Sequence, residues 1–176
     1  MCAEYVGANI MTGSTKRVTI RRAGLKDIPG VIHCLTAAFE PYRESYTQEA
    51  FRDTVPTAED AQRRFNEMTI LVAEDESSRI IGSISYHVYD SSEGHLRGMA
   101  VVPEFQGSGV ANRLLRAAEA ELRELGCSRV TLDATLPLKR ATRFYMQHDF
   151  KATGITKDFF GMPLFEFEKS LEVRAT

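Results

Sequence analysis

The chain has 176 residues, 43% hydrophobic and 26% charged, and is long enough for one globular domain with a sizeable core. A formal net charge of -2 argues against the basic surface that nucleic-acid-binding proteins need. No apolar run approaches the roughly 20 residues that span a bilayer, and no secretory signal pattern is present. We therefore expect a cytoplasmic protein with neither nucleic acid nor membrane as a partner.

The first 16 residues have no sustained hydrophobic period, so we predict a flexible N-terminal arm there and a single domain over residues 17–176. Val18 to Arg22 alternates and predicts a first strand. Asp27 precedes apolar residues spaced by three and four up to Phe39, and Pro29 suits the first turn of the helix that this spacing predicts.

The pattern weakens from Glu40 to Pro56, where Tyr42, Tyr46 and Phe51 are scattered among charged residues. These aromatic residues either pack in the core or belong to a segment that covers a substrate. Thr57 to Met68 begins with a capping threonine and acidic residues and predicts a second helix.

Strands dominate the next part of the chain, and two of the turns between them are short and polar, which favours antiparallel hairpins. A long amphipathic helix follows and ends at Gly126, and the strand after it implies one parallel crossover. The predicted elements are strands at Ile70–Glu74, Ile80–Val88 and Leu96–Val102, a helix from Val110, a strand at Arg129–Ala134, a short helix at Lys139–Gln147, and strands at Phe150–Thr153 and Leu164–Lys169.

The turn between the Leu96–Val102 strand and the long helix contains Gly107 and Gly109. A helix begins with backbone N–H groups that lack partners and carries partial positive charge there, so this turn suits a pyrophosphate. A tight turn without a ligand is the alternative. Asn112 replaces the third glycine of a dinucleotide fingerprint, and no Lys-Ser or Lys-Thr pair completes a P-loop.

The segment Met99–Ala111, MAVVPEFQGSGVA, resembles the strand and (Q/R)-x-x-G-x-(G/A) turn of the GNAT acyltransferase superfamily, and the resemblance runs from about Arg17 to Lys169. It implies an α+β fold: a mainly antiparallel, six- to seven-stranded sheet, flanked by helices and splayed between strands 4 and 5. It also implies acetyl-CoA as co-substrate, no metal, and pantetheine bonded to backbone of Met99 and Val101. The cofactor-binding residues that it implies are Met99, Ala100, Val101, Gln106, Gly107, Ser108, Gly109, Val110, Ala111 and Asn112.

Tyr145 is the candidate acid, because the segment Arg140–Tyr145 resembles the family's second motif. A phenol with a pKa near 10 can protonate a thiolate whose conjugate acid is near 8.5. The alternative is a core aromatic residue beside Phe144 and Phe150.

Asp133, twelve residues before Tyr145, occupies the place of a general base in some family members, acting directly or through water. It could instead cap the next helix or end its strand. His87, Glu93 and His95 are rival bases, although for each of them we favour an ordinary polar residue of a strand or turn.

Two positions depart from the family pattern. Leu138 stands where many members place an asparagine that helps to hold the cofactor arm, and His148-Asp149 precede Phe150 where a glycine is usual. The second departure suggests an altered turn or an exposed histidine. Lys139, Arg140 and Arg143 either reach the CoA 3′-phosphate or are solvated, and we favour solvation.

Cys2, Cys34 and Cys127 are odd in number and widely spaced, which indicates neither a disulfide framework nor a zinc site. We expect reduced and mostly buried thiols.

The sequence thus predicts an N-acetyltransferase that acts on a primary amine of a small molecule or peptide in a ternary complex. The alternatives are a non-catalytic acyl-CoA-binding sensor or assembly module, and a structural domain without a ligand. A homodimer is possible by resemblance alone, and neither the acceptor nor the acyl chain preference follows from the sequence.

Overall fold

The computed structural model describes residues 17–90 and 92–171. The predicted flexible arm, residues 1–16, lies outside the described residues, as do residue 91 and residues 172–176.

In the described residues, seven strands form a single sheet in the order β1-β2-β3-β4-β5-β7-β6. Every neighbouring pair is antiparallel except β4 and β5. The strands are β1 (Thr19–Arg22), β2 (Thr69–Glu74), β3 (Ile80–Val88), β4 (Glu93–Val101), β5 (Arg129–Thr135), β6 (Lys151–Phe159) and β7 (Met162–Ser170). The predicted mainly antiparallel sheet is confirmed, with seven strands.

Over the part of the chain that the structure describes, five α-helices flank the sheet: α1 (Ile28–Phe39), α2 (Gln48–Thr54), α3 (Ala58–Glu67), α4 (Val110–Glu124) and α5 (Lys139–Gln147). Leu114, Leu115 and Leu122 of α4 are fully buried against the sheet. Helix α1 packs on β3 and β4. The core therefore lies between these two helices and the centre of the sheet, as the periodicity predicted.

The predicted splay between β4 and β5 is confirmed. These strands pair only from Glu93↔Arg129 to Leu96↔Leu132, although both continue beyond this point. A bulge in the β3–β4 pairing coincides with Gly98. The φ of this residue is +62°, a backbone conformation that favours glycine. The far half of β4 thus has no strand on its β5 side, and a cleft opens there.

Two helical segments were not predicted, and one predicted strand ended too early. The weakly patterned region contains a 3₁₀ helix at Glu40–Ser45 and the short helix α2, which the Thr47 hydroxyl caps at its N-terminus. Strand β6 extends to Phe159 rather than Thr153, because it is an exposed edge strand whose residues do not alternate in burial.

Cys34 and Cys127 are unpaired and fully buried, as predicted, whereas Cys2 lies outside the described residues. Within residues 17–90 and 92–171, no helix is both long and apolar enough to cross a bilayer. The same residues contain no cluster of histidine, cysteine and acidic side chains able to hold a metal ion.

Candidate active site

Two cavities meet where β4 and β5 separate. The first, with a volume of about 320 Å³, extends along the free edge of β4 to the glycine turn. The second, of about 370 Å³, lies between β4, β5, α2, α3 and the β6–β7 hairpin. They share a wall formed by Phe39, Leu96, Arg97, Gly98, Asp133 and Leu138. Both volumes fall within the range of about 300–1,000 Å³ that is typical of small-molecule sites.

The glycine turn has the geometry of an anion site. Gly107 and Gly109 have φ values of +82° and +87°, and a Cβ at Gly109 would meet no atom within 4 Å. The first helical hydrogen bond of α4 is donated by the Arg113 N–H to the Gly109 carbonyl, at 3.1 Å. The N–H groups of Val110, Ala111 and Asn112 precede that bond, so they remain available to an anion above the turn.

Side chains fix the turn to its neighbours. Gln106 Nε2 donates to the Val101 carbonyl at 3.0 Å, and an Arg140 N–H donates to Gln106 Oε1 at 2.9 Å. Arg140 also lies 3.8 Å from the position of a Cβ on Gly107 and lines the first cavity. Of the three basic residues in this stretch, Arg140 is therefore the one placed beside the turn.

The unusual residues after α5 form a specific junction. Asp149 adopts the left-handed conformation, with φ of +69°, at the position where the family pattern has glycine. The His148 ring is half-buried, not exposed. Its Nδ1 lies 2.8 Å from the Phe144 carbonyl and its Nε2 lies 3.1 Å from Asn112 Oδ1. This contact ties the end of α5 to the first turn of α4.

Tyr145 lines the first cavity and is 7% exposed. Its ring makes edge contacts with Phe144 and Phe150, at centroid distances of 5.5 and 5.6 Å. Burial raises the pKa of Tyr145 above its ordinary value. No described residue hydrogen-bonds its hydroxyl group, so this phenol is kept protonated and is free to donate into the cavity.

Asp133 lies on the wall shared by both cavities. Lys157 Nζ donates to its two carboxylate oxygens at 3.2 and 3.3 Å and pairs with Glu166 at 2.8 Å. His95 Nε2 is 3.7 Å from Asp133 Oδ2. Asp133 thus neither caps α5 nor merely ends its strand, since its side chain reaches the cleft.

The rival bases have different surroundings. His95 is buried and lines the second cavity, with its Nδ1 2.9 Å from the Thr131 hydroxyl. A neutral ring fits if Thr131 donates to Nδ1 and Nε2–H faces Asp133; burial lowers the pKa of His95, which favours this neutral form. Glu93 instead pairs with Arg129 at 2.6 Å, and His87 lines neither cavity.

Sequence reasoning missed the charged end of the second cavity. Asp53 on α2 accepts hydrogen bonds from Arg64 on α3 and from Arg97 on β4. The opposite wall includes Phe159 and Phe160 at the β6–β7 tip. In the sequence, the signal for this region is the weak pattern of residues 40–56, which makes it a candidate substrate-covering segment.

The chain is similar to one protein family and to several known proteins. Residues 32–150 match the acetyltransferase (GNAT) family. Mycothiol acetyltransferase of Propionibacterium freudenreichii is 34% identical over 107 residues, which cover 56% of this chain and 34% of that protein. The chain therefore matches about a third of the length of this curated relative.

Solved structures resemble the whole described fold. PaiA N-acetyltransferase from Thermoplasma acidophilum in complex with coenzyme A superposes with a TM-score of 0.72 at 20% identity, over 88% of this chain and 99% of that chain. The ribosomal-protein-S18-alanine N-acetyltransferase from Escherichia coli gives a TM-score of 0.72 at 15% identity, over 90% and 97%. At these identities the likeness concerns the fold alone.

Proposed function

Because the chain belongs to the acetyltransferase (GNAT) family, whose members are acyltransferases, we propose that it moves an acetyl group from acetyl-CoA to a primary amine. The observation that carries this proposal is the junction of the two cavities at the β4–β5 opening. One cavity has an anion site for a diphosphate and the other is sized for a small acceptor. Two substrates can therefore meet at their shared wall, as direct transfer requires.

The first cavity suits CoA by the chemistry of its backbone. The N–H groups from Val110 to Asn112 would hold the pyrophosphate, and Arg140 lies close enough to the turn to add positive charge. The free edge of β4, including Met99 and Val101, would bind the amides of the pantetheine arm. Acetyl-CoA supplies the activated thioester, so the protein has to hold and orient the two substrates and to exchange protons with them.

Tyr145 is the proposed acid. In the overall reaction a new N–C bond forms, the C–S bond breaks, one proton leaves the amine nitrogen and one reaches the sulfur. Tyr145 would protonate the departing sulfur, and its raised pKa keeps the phenol neutral until that step. Asp133 would accept the amine proton, directly or through water. His95 Nε2 lies 3.7 Å from Oδ2 of the same carboxylate.

A covalent acetyl-enzyme has less support. Among the residues that the structure describes, no cysteine or serine lines either cavity. Burial raises the pKa of the Cys34 thiol to about 12, which makes it a poor nucleophile. These observations favour transfer within a ternary complex.

The test is thiol release from acetyl-CoA in the presence of a panel of amines, with acetylated products identified by mass spectrometry. We expect amine-dependent release by the native protein. A non-catalytic sensor predicts that CoA raises the melting temperature but that no amine consumes the thioester. A structural domain predicts no stabilisation by millimolar CoA, whereas a ligand at a hundred times its Kd adds about 2.7 kcal/mol to the free energy of unfolding.

A further inference from the structure

One end of the second cavity, here called the positive end, has an unbalanced charge. There two guanidinium groups, Arg64 and Arg97, share the single carboxylate of Asp53. Asp133 also lines the cavity, and it shares the ammonium group of Lys157 with Glu166, which lies 3.9 Å from Arg129 as well. The positive end therefore has an excess positive charge, whereas Asp133 presents a carboxylate to the same cavity.

The positive end is built to hold its charge in place. Arg64 is only 17% exposed and also donates to the Asp53 backbone carbonyl, so α2 and α3 fix its position. Arg97 is 40% exposed and lies just before the Gly98 bulge, on the wall between the cavities. Each guanidinium group has five N–H donors, of which Asp53 uses few, and the remainder suit a planar two-oxygen anion.

We propose, on the basis of the acetyl transfer proposed above, that the acceptor is a small amine that also carries a carboxylate, as a free amino acid does. Its carboxylate would bind Arg97 and Arg64, and its amine would lie toward Asp133. This orientation brings the nitrogen to the wall that the second cavity shares with the first.

The same arrangement disfavours other amines. A polyamine would place cationic groups near the two guanidinium groups, where like charges repel. An amino acid in an amide or peptide bond lacks the carboxylate, so the excess positive charge would remain without a partner. The aromatic walls from Phe39, Tyr46, Phe159 and Phe160 suit an apolar side chain on the acceptor.

The experiment compares three matched acceptors: leucine, leucinamide and 3-methylbutylamine, with spermidine as a fourth. We expect kcat/KM for leucine to exceed that of the other three by about ten- to a hundredfold, the range for hydrogen bonds to a charged group. The Arg97→Met and Arg64→Met variants should lose this preference through a higher KM for leucine alone. Arg63→Met, the neighbouring residue on α3, is 64% exposed and serves as the control.

Thermal stabilisation of the CoA-loaded protein by each amine gives a second measurement that does not depend on turnover. Equal turnover of leucine and 3-methylbutylamine would overturn the carboxylate inference and leave acetyl transfer intact. So would an equal loss on all acceptors in Arg97→Met, or no turnover and no stabilisation by any of the four amines while CoA still binds. Failure of CoA itself to bind would instead contradict the proposed function.

Discussion

The two cavities at the β4–β5 opening are built in different ways. In the first, the groups proposed to bind CoA are mostly backbone: a glycine turn, the start of α4 and the free edge of one strand. The second is made of side chains from five separate parts of the chain, including Asp53, Arg97 and Asp133. Backbone can bind a part of the substrate that never changes, whereas side chains can be replaced to suit a new acceptor. The difference predicts that substitutions in the two cavities impair different steps.

The largest effect is expected for Tyr145→Phe, which removes the acid but retains the ring and its contacts. Loss of a general acid lowers kcat by about 10²- to 10⁴-fold. CoA affinity, measured by calorimetry, should stay within a few-fold of the native value. Tyr86→Phe is a matched control, because it removes a buried hydroxyl that bonds Glu121 at 2.6 Å outside both cavities. A Tyr145→Phe enzyme with native kcat would rule out the acid role.

Asp133→Asn tests the proposed role of Asp133 as the base on the wall shared by the two cavities. If Asp133 accepts the amine proton, kcat should fall by about a hundredfold, and the loss should diminish as rising pH deprotonates the free amine. Glu166→Gln is the control, since it perturbs the same lysine but lines neither cavity. Similar pH–rate profiles for the two variants would indicate that Asp133 acts only through its ion pair.

Gly109→Val tests the glycine turn of the first cavity. A β-branched residue at φ of +87° is strained by about 1–2 kcal/mol. The distorted turn should weaken CoA binding by about tenfold or more. Gly154→Val is a matched control, because Gly154 has φ of +84° and open space around its Cβ but lies on the edge strand β6. Both variants should lose similar stability; equal CoA affinities would contradict the role of the turn.

The smallest effect concerns the contribution of His95 to the pH dependence of protein stability. Burial lowers its pKa from an ordinary value of 6.5, with a further decrease from His87 and an opposing increase from Asp133. The unfolded chain therefore binds this proton at higher pH than the folded protein, and stability falls as pH falls below about 6.5. His95→Gln should flatten this slope by about 1 kcal/mol per pH unit in denaturant melts. An unchanged slope would show that His95 does not titrate in this way.

The glycine turn of the first cavity could be predicted from the sequence, because the sequence pattern that indicates it is local. Gly107, Gly109 and the apolar stripe of α4 are adjacent in the chain, and a strand precedes them. Tyr145 lies in the predicted short helix, at the cavity where the resemblance implied it. The assigned roles of these residues remain predictions.

The second cavity could not be predicted, because its parts come together only in the folded chain. Arg64 lies on a polar helix, where a charged residue looks like an ordinary solvated one. Arg97 lies in a predicted strand, next to the bulge at Gly98, and nothing in the strand pattern marks it as a cavity residue. Helix α2 has only seven residues and two buried side chains, too few to give a helical period.

The most direct test of simultaneous use of both cavities is an initial-rate study in which acetyl-CoA and the amine are varied together. Direct transfer predicts double-reciprocal lines that intersect, since both substrates must be bound before the acetyl group moves. Parallel lines, with an acetylated protein seen by mass spectrometry before amine is added, would contradict the account and indicate a covalent intermediate.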